Sequence, residues 1–213
     1  MSDALARILA AAERGEFPPP DGRTTVIPQP NPRDAGVLAF TAHSVVFTDE
    51  DPEWVRAALA ATAGDPLAAS MNPGFLSKLM TRTGRSMNTI DLLTVAPSRA
   101  GSPELPLREI KDPEHPRVAR AHKFRDDVRV WATDGGVLLL GRGVADRWEA
   151  AIEVELPSRG AGLGVRLADA ARHLVPDGAY VWAQQSPGNA RSVRTFQQAG
   201  FRPVGSEALL TAG

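Results

Sequence analysis

Ser158-Arg159-Gly160-Ala161-Gly162-Leu163-Gly164 is the stretch whose reading decides the fold. It follows Ala151-Ile152-Glu153-Val154-Glu155-Leu156-Pro157, where apolar and acidic residues alternate as on a half-buried strand. Beyond it, Leu163, Leu167, Ala170, Ala171 and Leu174 recur at helical spacing. A glycine-rich loop therefore joins a strand to a helix N-terminus. Backbone N–H groups there lack intrahelical partners, the helix dipole adds partial positive charge, and glycines admit a ligand to the backbone. The arrangement suits an anion, above all a phosphate. The competing reading is a close-packed turn whose glycines only allow helix–strand contact.

Spacing separates the phosphate loops. Walker A requires Gly-Lys-Ser/Thr four residues after its first glycine, but Val165 stands five places after Gly160 and no lysine is near. The dinucleotide fingerprint Gly-x-Gly-x-x-Gly opens an early βαβ unit, whereas Gly160-x-Gly162-x-Gly164 lies late in the chain. Arg159-x-x-Gly162-x-Gly164 resembles the pyrophosphate loop of the GNAT acetyltransferase superfamily, Gln/Arg-x-x-Gly-x-Gly/Ala. A second segment, Asn189-Ala190-Arg191-Ser192-Val193-Arg194-Thr195-Phe196-Gln197-Gln198-Ala199-Gly200-Phe201, is similar to that family's Asn-x-x-Ala-x-x-x-Tyr-x-x-x-Gly-Phe helix. A strand at 179–185 separates the two motifs, in the family's order. The resemblance covers roughly the C-terminal half.

The 213 residues allow one large domain or two small ones, and 43% hydrophobic with 23% charged residues is ordinary for a globular chain. A net charge of −1 offers no basic field for nucleic acid or an anionic membrane. The absence of cysteine removes disulfides, thiolate metal sites and a cysteine nucleophile. No apolar run approaches the roughly 18 residues of a membrane span. The segment Met1-Ser2-Asp3-Ala4-Leu5-Ala6-Arg7-Ile8-Leu9 lacks the order of a signal peptide, so the cytoplasm is expected. His43, His115, His122 and His173 show no ligand spacing, and no metal is expected. His173 suits a helix C-terminus, and His43 reads as a hydrogen-bonded core histidine.

Taken in order, residues 2–14 form an amphipathic helix ended by Gly15, and Pro18-Pro19-Pro20 makes a stiff connector. Residues 37–47 are a buried stretch rich in strand formers. Asp51-Pro52 and Asn72-Pro73 each open a helix, the first running to about residue 63, and 90–95 is a strand. A Pro/Gly/Ser-rich segment, 96–106, divides an N-terminal α/β region (1–100) from a second domain (101–213). In the second domain, Asp112-Pro113-Glu114 starts a short charged helix reaching about residue 125. Residues 128–132 and 137–141 form a hairpin about Asp134-Gly135-Gly136, and a strand over 148–156 feeds the glycine loop. Strands at 202–205 and 207–211 close the chain. The N-terminal region is either a separate small domain or a degenerate GNAT-like half.

The resemblance implies an α/β (α+β) fold, with a mixed, mostly antiparallel central sheet flanked by helices. It also implies acetyl-CoA as co-substrate and transfer of its acetyl group to a primary amine. Amides of Arg159, Gly160, Ala161, Gly162, Leu163 and Gly164 would hold the pyrophosphate. The backbone of Ile152 and Val154 would pair with the pantetheine arm, and strand N–H groups would polarise the thioester carbonyl. Asn189 would contact the pantetheine end, and Phe196 would lie where the CoA sulfur leaves. Proton removal from the amine falls to Glu149 or Glu153, with Glu155 a further candidate; Gln184 and Gln185 on the next strand cannot act as bases. Each glutamate reads equally as a solvated charge. Phe196 departs from the family's tyrosine and cannot return a proton to the thiolate. That departure keeps open a non-catalytic acyl-CoA-binding or regulatory module, and a scaffold whose N-terminal half recognises a partner. The chain is compatible with a homodimer.

Overall fold

The amphipathic first segment forms α1 (Ala4–Glu13), whose buried residues Leu5, Leu9 and Ala12 share one face. The structure, a computed structural model, describes residues 4–112, 114, 116–122 and 125–212. Residues 2 and 3 of the expected first helix, and Pro113, His115, Lys123 and Phe124 around the expected charged helix, lie outside that set. After the prolines come β1 (Thr24–Ile27), β2 (Asp34–Phe40) and β3 (His43–Phe47). The expected single stretch 37–47 is thus a hairpin. It turns at Ala42 with φ 51, a left-handed alanine that carries no turn signature in sequence.

Two expected caps start the next helices. Asp51 accepts from Glu53 N at 2.9 Å before α2 (Pro52–Ala60), and Asn72 accepts from Gly74 N at 2.8 Å before α3 (Pro73–Thr83). The chain continues through β4 (Arg85–Ser86), β5 (Ile90–Pro97), β6 (Arg108–Ile110), α4 (Pro116–Ala121), β7 (Asp126–Thr133), β8 (Gly136–Arg142), β9 (Trp148–Val154), α5 (Leu163–Leu174), β10 (Tyr180–Gln185), α6 (Ala190–Gln198) and β11 (Arg202–Ala212). The two closing strands expected at 202–205 and 207–211 are one. Gly205 stays in line because its backbone runs so close to Ala39 O that a Cβ would overlap it.

The chain divides into two units, Met1–Leu93 with Val204–Gly213, and Thr94–Pro203. The sequence expectation set the division at 100/101 and left the final strand with the second region. Residues 204–212 join the first unit through antiparallel pairing with β2, from Ser206↔Ala39 to Thr211↔Asp34. Nothing local in composition signals so long-range a pairing.

In the first unit, strands run in the order β1-β3-β2-β11, with β1 parallel to β3 and the other pairs antiparallel. Val37, Val46, Ala208 and Leu210 on this sheet pack with Val55 of α2 and with Phe75, Leu76 and Leu79 of α3. In the second unit the order is β10-β9-β8-β7-β6, and only β9 and β10 are parallel. The predicted β7–β8 hairpin forms with Thr133 opposite Gly136 and a two-residue turn in which Gly135 has φ 73. Leu138, Leu140 and Ala150 from this sheet bury against Leu163, Leu167 and Ala171 of α5, together with Phe196 and Phe201.

Leu167 is fully buried, and a Cβ added at Gly136 would come within 2.8 Å of it. Leu167→Ala is expected to lower unfolding free energy by about 2–5 kcal/mol, measured by urea titration. An unchanged midpoint would place this residue outside the core.

Candidate functional site

Backbone alternation along β9 defines the first wall. Glu155 N donates to Gly135 O at 2.9 Å, so in this antiparallel pair the odd-numbered positions turn their backbone groups toward β8. The N–H and C=O groups of Ala150, Ile152 and Val154 therefore face the opposite edge. On that edge β10 pairs with β9 at Val181↔Trp148 and Trp182↔Glu149 and nowhere further. Ile152 and Val154 thus present their backbone beyond the last paired residue, where the parallel strands part. Val154 O accepts from Arg159 Nε at 3.0 Å, which folds the loop's first motif residue back onto the strand. Thr94 holds β10 from its other side, donating to Ala183 O at 3.2 Å and lying 3.1–3.2 Å from the Gln185 amide.

The loop glycines do different work. Gly160 and Gly162 adopt φ 89 and φ 78, and a Cβ on either would meet nothing within 4 Å. Conformation demands glycine there, and the space beside both is open to a ligand. Gly164 instead packs: a Cβ there would lie 3.1 Å from Thr195 Cγ2 on α6. The packing reading describes Gly164, whereas Gly160 and Gly162 leave the room that a ligand would need. Gly162 precedes α5 without any side-chain cap, and Val165 N and Arg166 N turn back to its carbonyl at 3.1 and 3.2 Å. A twelve-residue helix thus begins at the loop with its positive dipole end undecorated by an acidic side chain. The residues present fit a pyrophosphate at this point.

Glu149 marks the place where β9 and β10 stop pairing. It is 3% exposed. Oε1 accepts from Arg147 Nε at 2.9 Å and Val144 N at 3.4 Å, Oε2 accepts from Arg125 Nε at 2.9 Å, and the Gln184 side chain also donates. A Cβ at Gly143 would overlap the carboxylate. Burial pushes the Glu149 carboxyl up, but the charges of Arg147 and Arg125 and the bonds from Arg147 and Gln184 outweigh it, leaving it below the ordinary glutamate range. The Arg147 guanidinium also lies 5.2 Å from the Trp182 ring. Sequence reasoning singled out the glutamate and missed its partners. Arg147, two places earlier and just before β9 begins, was the one legible signal; Arg125 and Gly143 come from other segments.

Glu153 is exposed on the same face of β9 as Glu149. Asn189 Oδ1 accepts from Ser192 N at 3.1 Å and caps α6. Phe196 is 3% exposed and meets Phe201 edge-on, with ring centroids 5.0 Å apart at 88°. His173 Nδ1 donates to Gly101 O at 3.0 Å near the end of α5, as a cation-tolerant helix end allows. Among the described residues no group of three or more His, Asp or Glu could hold a metal, and no helix is long and apolar enough to cross a membrane.

Fold and site together define a mixed α+β chain with a mostly antiparallel sheet, in which a glycine-led helix N-terminus adjoins two parting parallel strands. Solved GNAT acetyltransferases are similar to it. A GCN5-related N-acetyltransferase from Kribbella flavida matches at 15% identity over 99% of this chain and 95% of its own, with a TM-score of 0.44. A GNAT family acetyltransferase from Colwellia psychrerythraea matches at 9% identity over 65% of this chain, TM-score 0.42; this chain spans 62% of that protein's length. A tandem GNAT protein from the clavulanic acid biosynthesis pathway matches at 12% identity over 84% of this chain and 65% of its own, TM-score 0.40. At these scores the likeness carries no argument about chemistry. No family model and no curated protein matches the chain.

Glu149 also sets an acid dependence. Because its folded pKa lies below its unfolded value, its stabilisation is complete above the ordinary glutamate range and is lost as pH falls through the folded value. Glu149→Gln leaves the buried Arg147 and the half-buried Arg125 without their counter-charge and is expected to cost about 3–5 kcal/mol at neutral pH. Urea titrations across pH should show the variant's deficit shrinking on acidification. A deficit independent of pH would mean that the carboxylate's charge is not what stabilises.

Proposed function

We propose that the chain is an acyl-CoA-dependent N-acyltransferase that moves an acetyl group from acetyl-CoA to a primary amine. The observation that carries this reading is the parting of β9 and β10 past Glu149, directly before an uncapped helix N-terminus led by Gly160 and Gly162. Amides of 159–164 would hold the pyrophosphate, with Gly160 and Gly162 giving it close approach. Backbone groups of Ile152 and Val154 would pair with the pantetheine arm as an added strand would. Asn189 would contribute its amide N–H₂ to the pantetheine end, its oxygen being engaged at Ser192 N.

Acetyl-CoA supplies an activated acyl carbon. The amine nitrogen bonds to that carbon as the C–S bond breaks, and the amine gives up a proton. Of the two glutamates on β9, Glu153 is assigned that proton. The Glu149 oxygens already accept from Arg147, Val144, Arg125 and Gln184, which fills the lone pairs of a carboxylate. Glu149 is therefore assigned to fixing where the cleft opens. Phe196 supplies an apolar wall and no proton, so solvent protonates the departing thiolate.

A second reading, a non-catalytic acyl-CoA-binding module, is favoured by one observation: Phe196 packs edge-on against Phe201 where the family's tyrosine would donate. Purified protein incubated with acetyl-CoA and a panel of amines separates the two. Intact binding with no CoA release for any amine would select the module.

Gly162→Asp puts a carboxylate where the pyrophosphate approaches the backbone. Calorimetry is expected to show acetyl-CoA affinity reduced by more than tenfold, about 1.4 kcal/mol, with the fold retained. Equal affinity would remove the loop from the site. Glu153→Gln is expected to lower kcat by roughly 10²–10⁴-fold while acetyl-CoA affinity stays unchanged. A wild-type rate would pass the proton-accepting role to water or another group.

A further inference from the structure

The first unit holds a second constellation that the reading above does not use. Asp21 and Gly22 form the turn before β1. Asp21 N donates to Pro19 O at 2.8 Å, and Gly22, at φ 72, donates to Ala42 O at 2.8 Å in the β2–β3 turn. This pins Asp21 beside the first residue of β3. His43 Nδ1 lies 2.8 Å from Asp21 Oδ1, and His43 Nε2 lies 3.0 Å from Thr25 Oγ1 on β1. An ionised carboxylate only accepts, so Nδ1 carries the ring proton and Nε2 offers its lone pair to the Thr25 hydroxyl. The Asp21 carboxyl is held below the ordinary aspartate range, first by the His43 hydrogen bond and then by the Arg23 N–H.

Burial divides the roles. His43 is 8% exposed, whereas Thr25 is exposed. Thr25, Ile27, His43 and Val45 share one face of the parallel β1–β3 pair. That face lines a cavity of about 630 Å³ whose other walls include Ile8 of α1 and Phe17 of the connector. Phe17 is anchored there by the Phe40 ring, 6.0 Å away. Such a volume takes a small molecule, and walls that are apolar around a few convergent polar atoms are what ligand sites present. The carbonyls of Arg23 and Ile27 accept from Ser44 N and Thr48 N on the β3 side. By alternation the Val26 N–H, next in sequence to Thr25, turns to the edge of β1 that no strand covers among the described residues. It is a backbone donor for a developing oxyanion.

The geometry points to a second reactive site in this cavity, where Thr25 Oγ1 attacks the carbonyl carbon of small apolar esters, with His43 as base and Asp21 as its positioning residue. The Oγ1–acyl carbon bond forms as the ester C–O bond breaks. The hydroxyl proton passes to Nε2 and then to the departing alcohol. Water next gives a proton to Nε2 and attacks the acyl carbon; the Oγ1–acyl carbon bond then breaks as Nε2 returns that proton to Oγ1, and the carboxylic acid leaves.

The test uses the full chain and 4-nitrophenyl butyrate, with neither acyl-CoA nor amine present, so its outcome is independent of the β9–α5 cleft. Nitrophenolate release above the buffer rate is expected, with a butyryl mass increment on the peptide carrying Thr25 after acid quench. Thr25→Val keeps the β-branched shape at an exposed position and is expected to reduce release by at least roughly 10²-fold with the cooperative unfolding transition retained. Thr25→Ser should retain a rate within about tenfold of the parent, and Asp21→Asn should lower kcat while leaving KM in place, a split that general loosening of the fold would not produce. Release at the buffer rate, or release that survives Thr25→Val, overturns the proposal. His43→Gln is expected to bring release to the buffer rate; should it fail to fold, the exposed Thr25 variants decide the question by themselves.

Discussion

One buried carboxylate between two guanidinium groups sets the geometry of the candidate cleft. Glu149 is the last residue of β9 in register with β10, and its oxygens are drawn by Arg147 and Arg125. A carboxylate buried alone would neutralise itself; held by two cations and further donors it stays charged and immobile. Its fixed position demands the bare backbone of Gly143, and the residues just past it on β9 run on without a β10 partner. The open edge at Ile152 and Val154 begins directly after this fixed point.

The glycine loop shows why a motif alone underdetermines a site. Three glycines in alternation read equally as an anion cradle or as a packing device. In the structure Gly160 and Gly162 are left-handed beside open space, while Gly164 lets α5 meet Thr195. A substitution at the third position and one at the second would be resisted for unrelated reasons, one through packing on Thr195 and one through a left-handed backbone.

Much of the second unit was legible because its signals are local. Asp134-Gly135 gives the hairpin, alternation gives β9, and the 3.6-residue period gives α5. In the first unit the Asp51 and Asn72 caps were equally readable. What escaped was set by partners far away in sequence. The β2–β3 turn uses a left-handed alanine, so no glycine or asparagine announced it. The cationic surroundings of Glu149 escaped as well, because Arg125 lies 24 residues away. His43 was readable as a hydrogen-bonded histidine, but Asp21 and Thr25 reach it only through the turn at Gly22 and the parallel pairing of β1.

The pairing of β11 with β2 has a consequence for how the chain is made. During synthesis, residues 1–93 leave the ribosome long before 204–212, so β2 waits with an uncovered edge while the whole second unit is translated. The waiting edge is apolar, with Val37 and Leu38 both fully buried in the finished molecule. It is also shaped for one occupant: Gly36 lies against Ala208 O and Gly205 against Ala39 O, each so close that a methyl group would not fit. Such reciprocal bare-backbone contacts favour the chain's own late strand over a foreign one.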